Sequence, residues 1–432
     1  MAGRQQTTAR IEVMAGITTF LTMAYIIFVN PTILKDAGMD PQAVVIVTCL
    51  ASALTTALMG LIGNAPIAMA PGMGLNGFLA YTLVGHGQIT WQAALGVVFL
   101  SGMLGVVLTL VGLRKRLVEA IPVSLVTAIS VGIGLFITFI GLVYMGVIVK
   151  NDKTLVAAGP ITGTVAIGLA GLLLMAFLEI RKVKGALLIG IIFSTLLAVV
   201  CGYVERPSSL VSFSFDIRPV AFQLDIFDAL KWSLFGSIFT LMFMDMFDGI
   251  GTLVACCHEA GMVDEQGQIK GLGRLLVLDA SASMIGAVFG TSSVTAYIES
   301  AAGIEQGGRT GLTALVTALC FVLALLFVPA VGIVPKYATA PALVMVGLFM
   351  MREVKRIDFS NMEEALPAFI ILVMIALSYS ISTGLAFGFI SFVLIKLAAG
   401  KVNDVKPTMW VIAMLSLAFV TMDHLRAVFN SL

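Results

Sequence analysis

The sequence has little charge. Of 432 residues only 11% are Asp, Glu, Lys or Arg, about half the share of an ordinary soluble domain. The 25 basic and 24 acidic side chains nearly cancel to +1, so nothing points to nucleic acid as a partner. Histidine is scarce and scattered (His86, His258, His424), which argues against a metal site. The five cysteines, Cys49, Cys201, Cys256, Cys257 and Cys320, form no C-x-x-C pair. They read as small core residues rather than a disulfide or metal framework. No G-x-x-x-x-G-K-[ST] loop is present, so no ATP engine is encoded. G-x-S-x-G and H-E-x-x-H arrangements are also missing. Without a catalytic constellation or cofactor motif the chain does not read as an enzyme. Its polar start, Met1 to Arg10, lacks a cleavable signal pattern.

What the sequence has instead is apolar length. Hydrophobic residues make up 59%, and mean hydropathy is +1.06. Most of the chain lies in weakly charged runs of about 18–23 residues, each long enough to cross a lipid bilayer as a helix. The spans fall at 11–30, 43–62, 65–84, 93–111, 124–147, 161–178 and 186–203, then at 232–255, 275–288, 290–303, 311–328 and 331–351. Three shorter runs close the chain at 365–380, 384–397 and 409–422, leaving two or three C-terminal spans open. Between the halves lies a polar connection, 205–231, broken at Pro207 and Pro219. The expected fold is an all-α integral membrane protein with about 14 transmembrane segments.

Basic residues set the orientation. Arg114–Lys115–Arg116 follow span four, Arg181, Lys182 and Lys184 span six, Lys270 and Arg274 span eight, and Arg352, Lys355 and Arg356 span twelve. All fall on the side of Arg4 and Arg10, whereas Lys150, Lys153 and Arg206 lie opposite. The N-terminus is therefore expected in the cytoplasm. The short loops and tails suit a bacterial inner (plasma) membrane.

The halves echo one another. Gly16-Ile-Thr-Thr-Phe-Leu and Gly236-Ser-Ile-Phe-Thr-Leu stand 220 positions apart. Ala70-Pro-Gly-Met-Gly-Leu-Asn-Gly and Phe289-Gly-Thr-Ser-Ser-Val-Thr-Ala stand 219 apart, each in a segment broken by Gly or Pro. Seven spans per half, an odd number, make the repeat inverted. Interrupted segments at corresponding positions of two halves point to a transport site.

Ionisable residues at membrane depth are costly and functional by default. Asp245 and Asp248 stand three apart on one helix, Glu299 follows the Gly290 break, and Asn76 lies in the matching first-half segment. Carboxylates accept from N–H edges, and an amide both donates and accepts. Phe78, Tyr81, Phe247 and Tyr297 are candidates to stack on a flat ring. This inventory suits a planar heterocycle and repels inorganic anions. A residue such as Asp248 has a plainer reading too, as a pin between helices, and Asp279 is read as structural.

Five motifs run through the chain in order: Glu12-Val-Met-Ala-Gly-Ile-Thr-Thr-Phe-Leu-Thr-Met-Ala-Tyr-Ile, Ala70-Pro-Gly-Met-Gly-Leu-Asn-Gly-Phe, Asp245-Met-Phe-Asp-Gly-Ile-Gly-Thr-Leu, Gly290-Thr-Ser-Ser-Val-Thr-Ala-Tyr-Ile-Glu-Ser-Ala-Ala-Gly and Tyr337-Ala-Thr-Ala-Pro-Ala-Leu. Together they strongly resemble the AzgA-like purine permeases, a branch of the nucleobase–cation symporter (nucleobase–ascorbate transporter) family. The resemblance implies two inverted repeats of seven segments, with short extended stretches crossing in segments 3 and 10. It implies a core domain of residues 1–112 and 232–330, a gate domain of residues 113–204 and 331–432, and an extracytoplasmic connection at 205–231. It further implies a homodimer that imports purine nucleobases (adenine, hypoxanthine and/or guanine) with protons, by alternating access. No cofactor is implied.

By the same resemblance Asn76, Asp245 and Glu299 hold the purine; Phe78, as a stacking ring, and Thr295 are expected beside them. Asp248, Asp245 or Glu299 carries the proton. The segment around Glu299 resembles adenine permeases, whereas Asp245-Met-Phe-Asp resembles guanine and hypoxanthine permeases. The alternatives are an uncoupled facilitator or transport of xanthine or uracil.

Overall fold

A computed structural model of the chain describes residues 7–86, 89–113, 121–205, 211, 215–263, 268–269 and 271–431. Of the residues used above, Arg4, Arg114–Arg116, Arg206, Pro207 and Lys270 lie outside that set.

The first half begins with α1 (Ala9–Met23) and α2 (Ile26–Asp36), one apolar span interrupted at Ala24–Tyr25. Asp40 then caps α3 (Pro41–Leu61), accepting from the Ala43 amide at 2.8 Å. The third segment is broken, as the Gly and Pro content foretold. A strand, β1 (Met69–Pro71), leads into α4 (Met73–Gly77), which continues as π-helix over Phe78–His86. Thereafter come α5 (Trp91–Leu110), α6 (Val123–Met145), the hairpin β2 (Ile148–Asn151) and β3 (Leu155–Ala158), α7 (Gly163–Ile180) and α8 (Ala186–Val200). The connection carries a short helix, α9 (Ile226–Ala229). It is less free than its polarity suggests: Val220, Ala221 and Ala229 are buried, and the Phe222 and Asp225 amides donate to Val288 and Gln92 carbonyls.

The second half repeats the order. It contains α10 (Phe235–Glu259), α11 (Leu272–Phe289), the strand β4 (Val294–Ala296) leading into α12 (Ser300–Glu305), then α13 (Gly311–Ala324), prolonged to Gly332. The rest is α14 (Lys336–Met351), α15 (Met362–Ser378), α16 (Ile381–Ala398) and α17 (Pro407–Ser431). Among the described residues, ten helices are long and apolar enough to cross a membrane. The two broken segments and the shorter α8 and α15 bring the described segments to fourteen, in two inverted repeats of seven. The C-terminal end thus holds three helices, and α17 lies beyond the repeat.

Packing carries the repeat symmetry. In the first group α5 lies on α11, and its counterpart α13 lies on α3. Likewise α1 packs on α13 as α10 packs on α5. Small residues permit these approaches: a Cβ on Gly60 of α3 would stand 2.7 Å from the Gly311 carbonyl oxygen. In the second group α6 and α14 form the central pair, with α15 beside α6 and α7 beside α14. The hairpins α7–α8 and α15–α16 complete it. One sequence echo shifts: β1 and β4 correspond at a separation of 225 positions (Met69 with Val294), six more than the motif alignment suggests.

Candidate functional site

Where the two broken segments meet, their extended stretches pair antiparallel, Met69 opposite Ala296, Ala70 opposite Thr295 and Pro71 opposite Val294. Gly290, with φ +86°, ends α11 and turns the chain into the second stretch. At Gly72 a Cβ would stand 2.9 Å from Leu75 Cδ1 and 3.1 Å from Thr295 Cγ2, so glycine permits the close approach. Two short strands in a membrane leave polar backbone that must be satisfied inside the protein, and the surrounding side chains do this. The Ala68 amide donates to Ser300 Oγ at 3.0 Å, and the Tyr297 hydroxyl to the Pro71 carbonyl at 2.6 Å. Asp279, fully buried, accepts from Thr295 Oγ1 and the Ala296 amide, both at 3.2 Å. It fits because α10 presents Gly249, where a Cβ would lie 2.8 Å from the Asp279 Cγ.

The residues singled out from sequence divide in two. Asp245 is buried and accepts from Ser283 at 2.8 Å and Ser293 at 3.0 Å. Asn76 is buried, accepts from Ser292 and donates to Asn30 Oδ1 at 2.7 Å. Asn30 donates in turn to Thr48 at 2.7 Å and Thr291 at 2.9 Å. Thr295 and Phe78 are also enclosed. These four stand around the crossing. Asp248 and Glu299, by contrast, reach open space: Asp248 is exposed and Glu299 partly exposed.

Along α10 the exposed positions run Asp248, Gly251, Ala255, His258, at helical spacing towards the end bearing Glu259, and nothing stands within 4 Å of a Cβ at Gly251. A carboxylate facing lipid at mid-span is strongly unfavourable, so this stripe borders a hydrated cleft. Ile298, next to Glu299 in the chain, is 52% exposed. Of the rings proposed to stack, Phe247 packs on Phe243 (centroids 5.9 Å), and Tyr297 is committed to Pro71.

Tyr81 belongs to a different cluster. Its hydroxyl bonds to Tyr144 and, at 3.3 Å, to Asp36. Tyr144 donates to the same Asp36 carboxylate, and Lys336 pairs with its other oxygen. The Lys336 ammonium also lies 4.7 Å over the Tyr144 ring. Beneath, Tyr379 packs edge-on against Phe136 at 5.5 Å and Phe139 at 5.4 Å. This cluster joins α2 and the third segment to α6 and α14, closing one end of the cleft. At the other end the two helix groups are joined by Lys184 and Glu305, 2.9 Å apart and largely exposed.

Sequence reading passed over Tyr25, Asn30, Ser283, Ser292 and Ser293. Two signals were available: Asn30 is a lone amide inside an apolar run, and the serines flank the Gly290 break.

Comparison with known proteins bears on the family and the fold. A model described as "Permease family", Xan_ur_permease, matches residues 10–387. A putative permease of Methanocaldococcus jannaschii is 46% identical over 416 residues, 96% of this chain and 95% of the relative. Adenine permease AdeP of Escherichia coli K12 is 42% identical over 410 residues, 95% and 92% of the two chains. Guanine/hypoxanthine permease PbuG of Bacillus subtilis is 40% identical over 416 residues, 94% of each. Among solved structures, the transmembrane domain of the cyanobacterial bicarbonate transporter BicA superposes with a TM-score of 0.67 at 15% identity, covering 86% of this chain and 96% of that one. That likeness speaks to the fold alone.

Proposed function

Because the chain belongs to the Xan_ur_permease family of membrane permeases, we propose that it imports purine nucleobases, adenine, hypoxanthine or guanine, by proton symport. Permeases move solutes rather than transform them. The substrate reading draws on the adenine and guanine/hypoxanthine permeases to which the chain is similar along nearly its whole length. The observation that carries it to this site is the pair of acids, Asp248 and Glu299, that alone among the predicted residues open into the cleft beside the crossing strands. Carboxylates there accept from purine N–H groups, and Ile298 offers an apolar surface to the ring. Asp245, Asn76, Phe78 and Thr295 complete the site from behind, by fixing the crossing that presents it.

The two packing groups are proposed as a core (1–112 and 232–330) and a gate (113–204 and 331–432), joined by 205–231. The N-terminus is placed in the cytoplasm, since Arg10, the Arg181–Lys184 cluster, Arg274 and the Arg352–Arg356 cluster share one face. The membrane is then the inner (plasma) membrane and the assembly a homodimer, as the family resemblance implies. In that orientation the Asp36–Tyr81–Tyr144–Lys336 cluster seals the extracytoplasmic end, and the α10 stripe opens the site inward. Movement of core against gate would exchange the two, giving alternating access. Either open acid is a candidate for taking up the proton, each being an ionisable group at membrane depth that opens to the cleft.

One proton per purine across 150 mV supplies about 3.5 kcal/mol, roughly 300-fold accumulation. The test is uptake of labelled adenine, hypoxanthine and guanine into cells lacking their own purine permeases. Uptake of at least one base, collapsing when a protonophore is added, is expected. Uptake untouched by the protonophore would leave a facilitator, and no uptake from well-expressed protein would remove the substrate assignment.

A further inference from the structure

One tyrosine holds the partly exposed acid of this site, Glu299. Tyr25 sits where the first span is interrupted, between α1 and α2, and is only 2% exposed. A buried phenol without a partner destabilises the fold, and this one has a specific partner: it donates to the Glu299 carboxylate at Oε1. Thr22, one turn earlier, brings its hydroxyl within 3.4 Å of the Glu299 carbonyl while donating to the nearer Thr19 carbonyl at 2.8 Å. Five residues later on α2, Asn30 donates to Thr291 and accepts from Asn76. The interrupted first span therefore grips both crossing segments, Asn30 at the strands and Tyr25 at the acid that ends the second one.

A carboxylate at the start of α12, partly open to the cleft, can rotate about its side-chain torsions. A hydrogen bond to one oxygen removes that freedom and leaves the second oxygen for a ligand. Ordering a long side chain beforehand saves the entropy that binding would otherwise lose. We propose that Tyr25 is a positioning residue for substrate recognition: its hydroxyl fixes one oxygen of Glu299 so that the other meets an N–H of the nucleobase. This rests on the reading of Glu299 as a substrate ligand, and the experiment separates the two.

Purified wild type, Tyr25→Phe, Glu299→Asp and the double variant are compared for binding of labelled purine, with Glu299→Gln as the test of the site itself. Thermal unfolding of each sample is measured alongside. Phenylalanine keeps the ring and removes only the hydroxyl, so the unfolding temperature should change little. Loss of a hydrogen bond to a charged group should weaken binding about tenfold, appearing as a raised KM with little change in maximal uptake rate. In Glu299→Asp the shortened side chain already leaves the tyrosine, so adding Tyr25→Phe should weaken binding no further.

An equal loss in both backgrounds, or a loss that follows a fall in unfolding temperature, would mark Tyr25 as packing alone and overturn the proposal. Unchanged affinity in Tyr25→Phe, with Glu299→Gln defective, would overturn positioning while leaving the site intact. Full affinity in Glu299→Gln would remove the site reading, and the proposal with it.

Discussion

Glu299→Gln should reduce purine uptake about 100-fold or more while the protein still inserts and folds. Glutamine preserves the size of the side chain, and its carbonyl oxygen can still accept from Tyr25, so the start of α12 need not move. The second position changes from an anionic acceptor to an NH₂ donor. It would then meet a ring N–H donor to donor, losing a charge-assisted bond of about 1.5–3 kcal/mol and leaving two unpaired donors. Asp248 cannot substitute, because it projects from α10, a different helix. Initial uptake rates in cells expressing matched amounts of wild type and variant check this. Near-normal uptake would exclude Glu299 as a ligand. Asp245→Asn should behave differently. The Asp245 carboxylate is enclosed and accepts from two serines, so its loss should register first as reduced thermal stability and yield.

The second large effect concerns the closed end. If core and gate move against one another, a covalent tie across the Asp36–Lys336 contact must stop transport. The tie is made with Asp36→Cys and Lys336→Cys in a background lacking the five native cysteines, all of which are free. A short bifunctional thiol reagent is used, since an ion-paired lysine and aspartate stand too far apart at the backbone for a direct disulfide. Before linking, the double variant should retain measurable uptake, because partly exposed ion pairs contribute roughly 0–1 kcal/mol; Lys336 and Asp36 side chains are 41% and 27% exposed. After linking, uptake should fall at least tenfold and recover when the linker is cleaved by reductant, with neither single variant affected. Full uptake from quantitatively linked protein would show that this end does not open.

The segments were legible in the sequence because the bilayer imposes a length on each apolar run, and basic loops mark one side. Breaks at Ala70–Gly77 and Gly290–Gly303 were legible for a related reason: Gly, Pro and polar residues interrupt runs that otherwise stay apolar. The division of labour among the acids was not. Three residues on a helix turn through about 300°, so Asp245 and Asp248 lie roughly 60° apart. That offset suffices to aim one at Ser283 and Ser293 and the other at the cleft, and only packing decides which. Partners distant in sequence were equally hidden: Tyr25 meets Glu299, and Asn30 meets Asn76 and Thr291, through the fold alone. The register of β1 on β4 escaped the motif comparison because a strand pair is set by hydrogen bonds and side-chain contacts, which glycine-rich similarity does not encode. The C-terminal count stayed open because α15 begins with Met-Glu-Glu and the apolar run of α17 is short, ending before Asp423.

The most direct test of the account is counterflow with purified protein in liposomes. Vesicles are loaded with unlabelled adenine, hypoxanthine or guanine in turn and diluted into a trace of the same labelled base, with no ion gradient imposed. Exchange through an alternating site predicts a transient accumulation of label for at least one purine, absent from empty vesicles and from Glu299→Gln. Folded wild-type protein that gives no accumulation with any of the three would contradict the assignment of this chain as a purine permease.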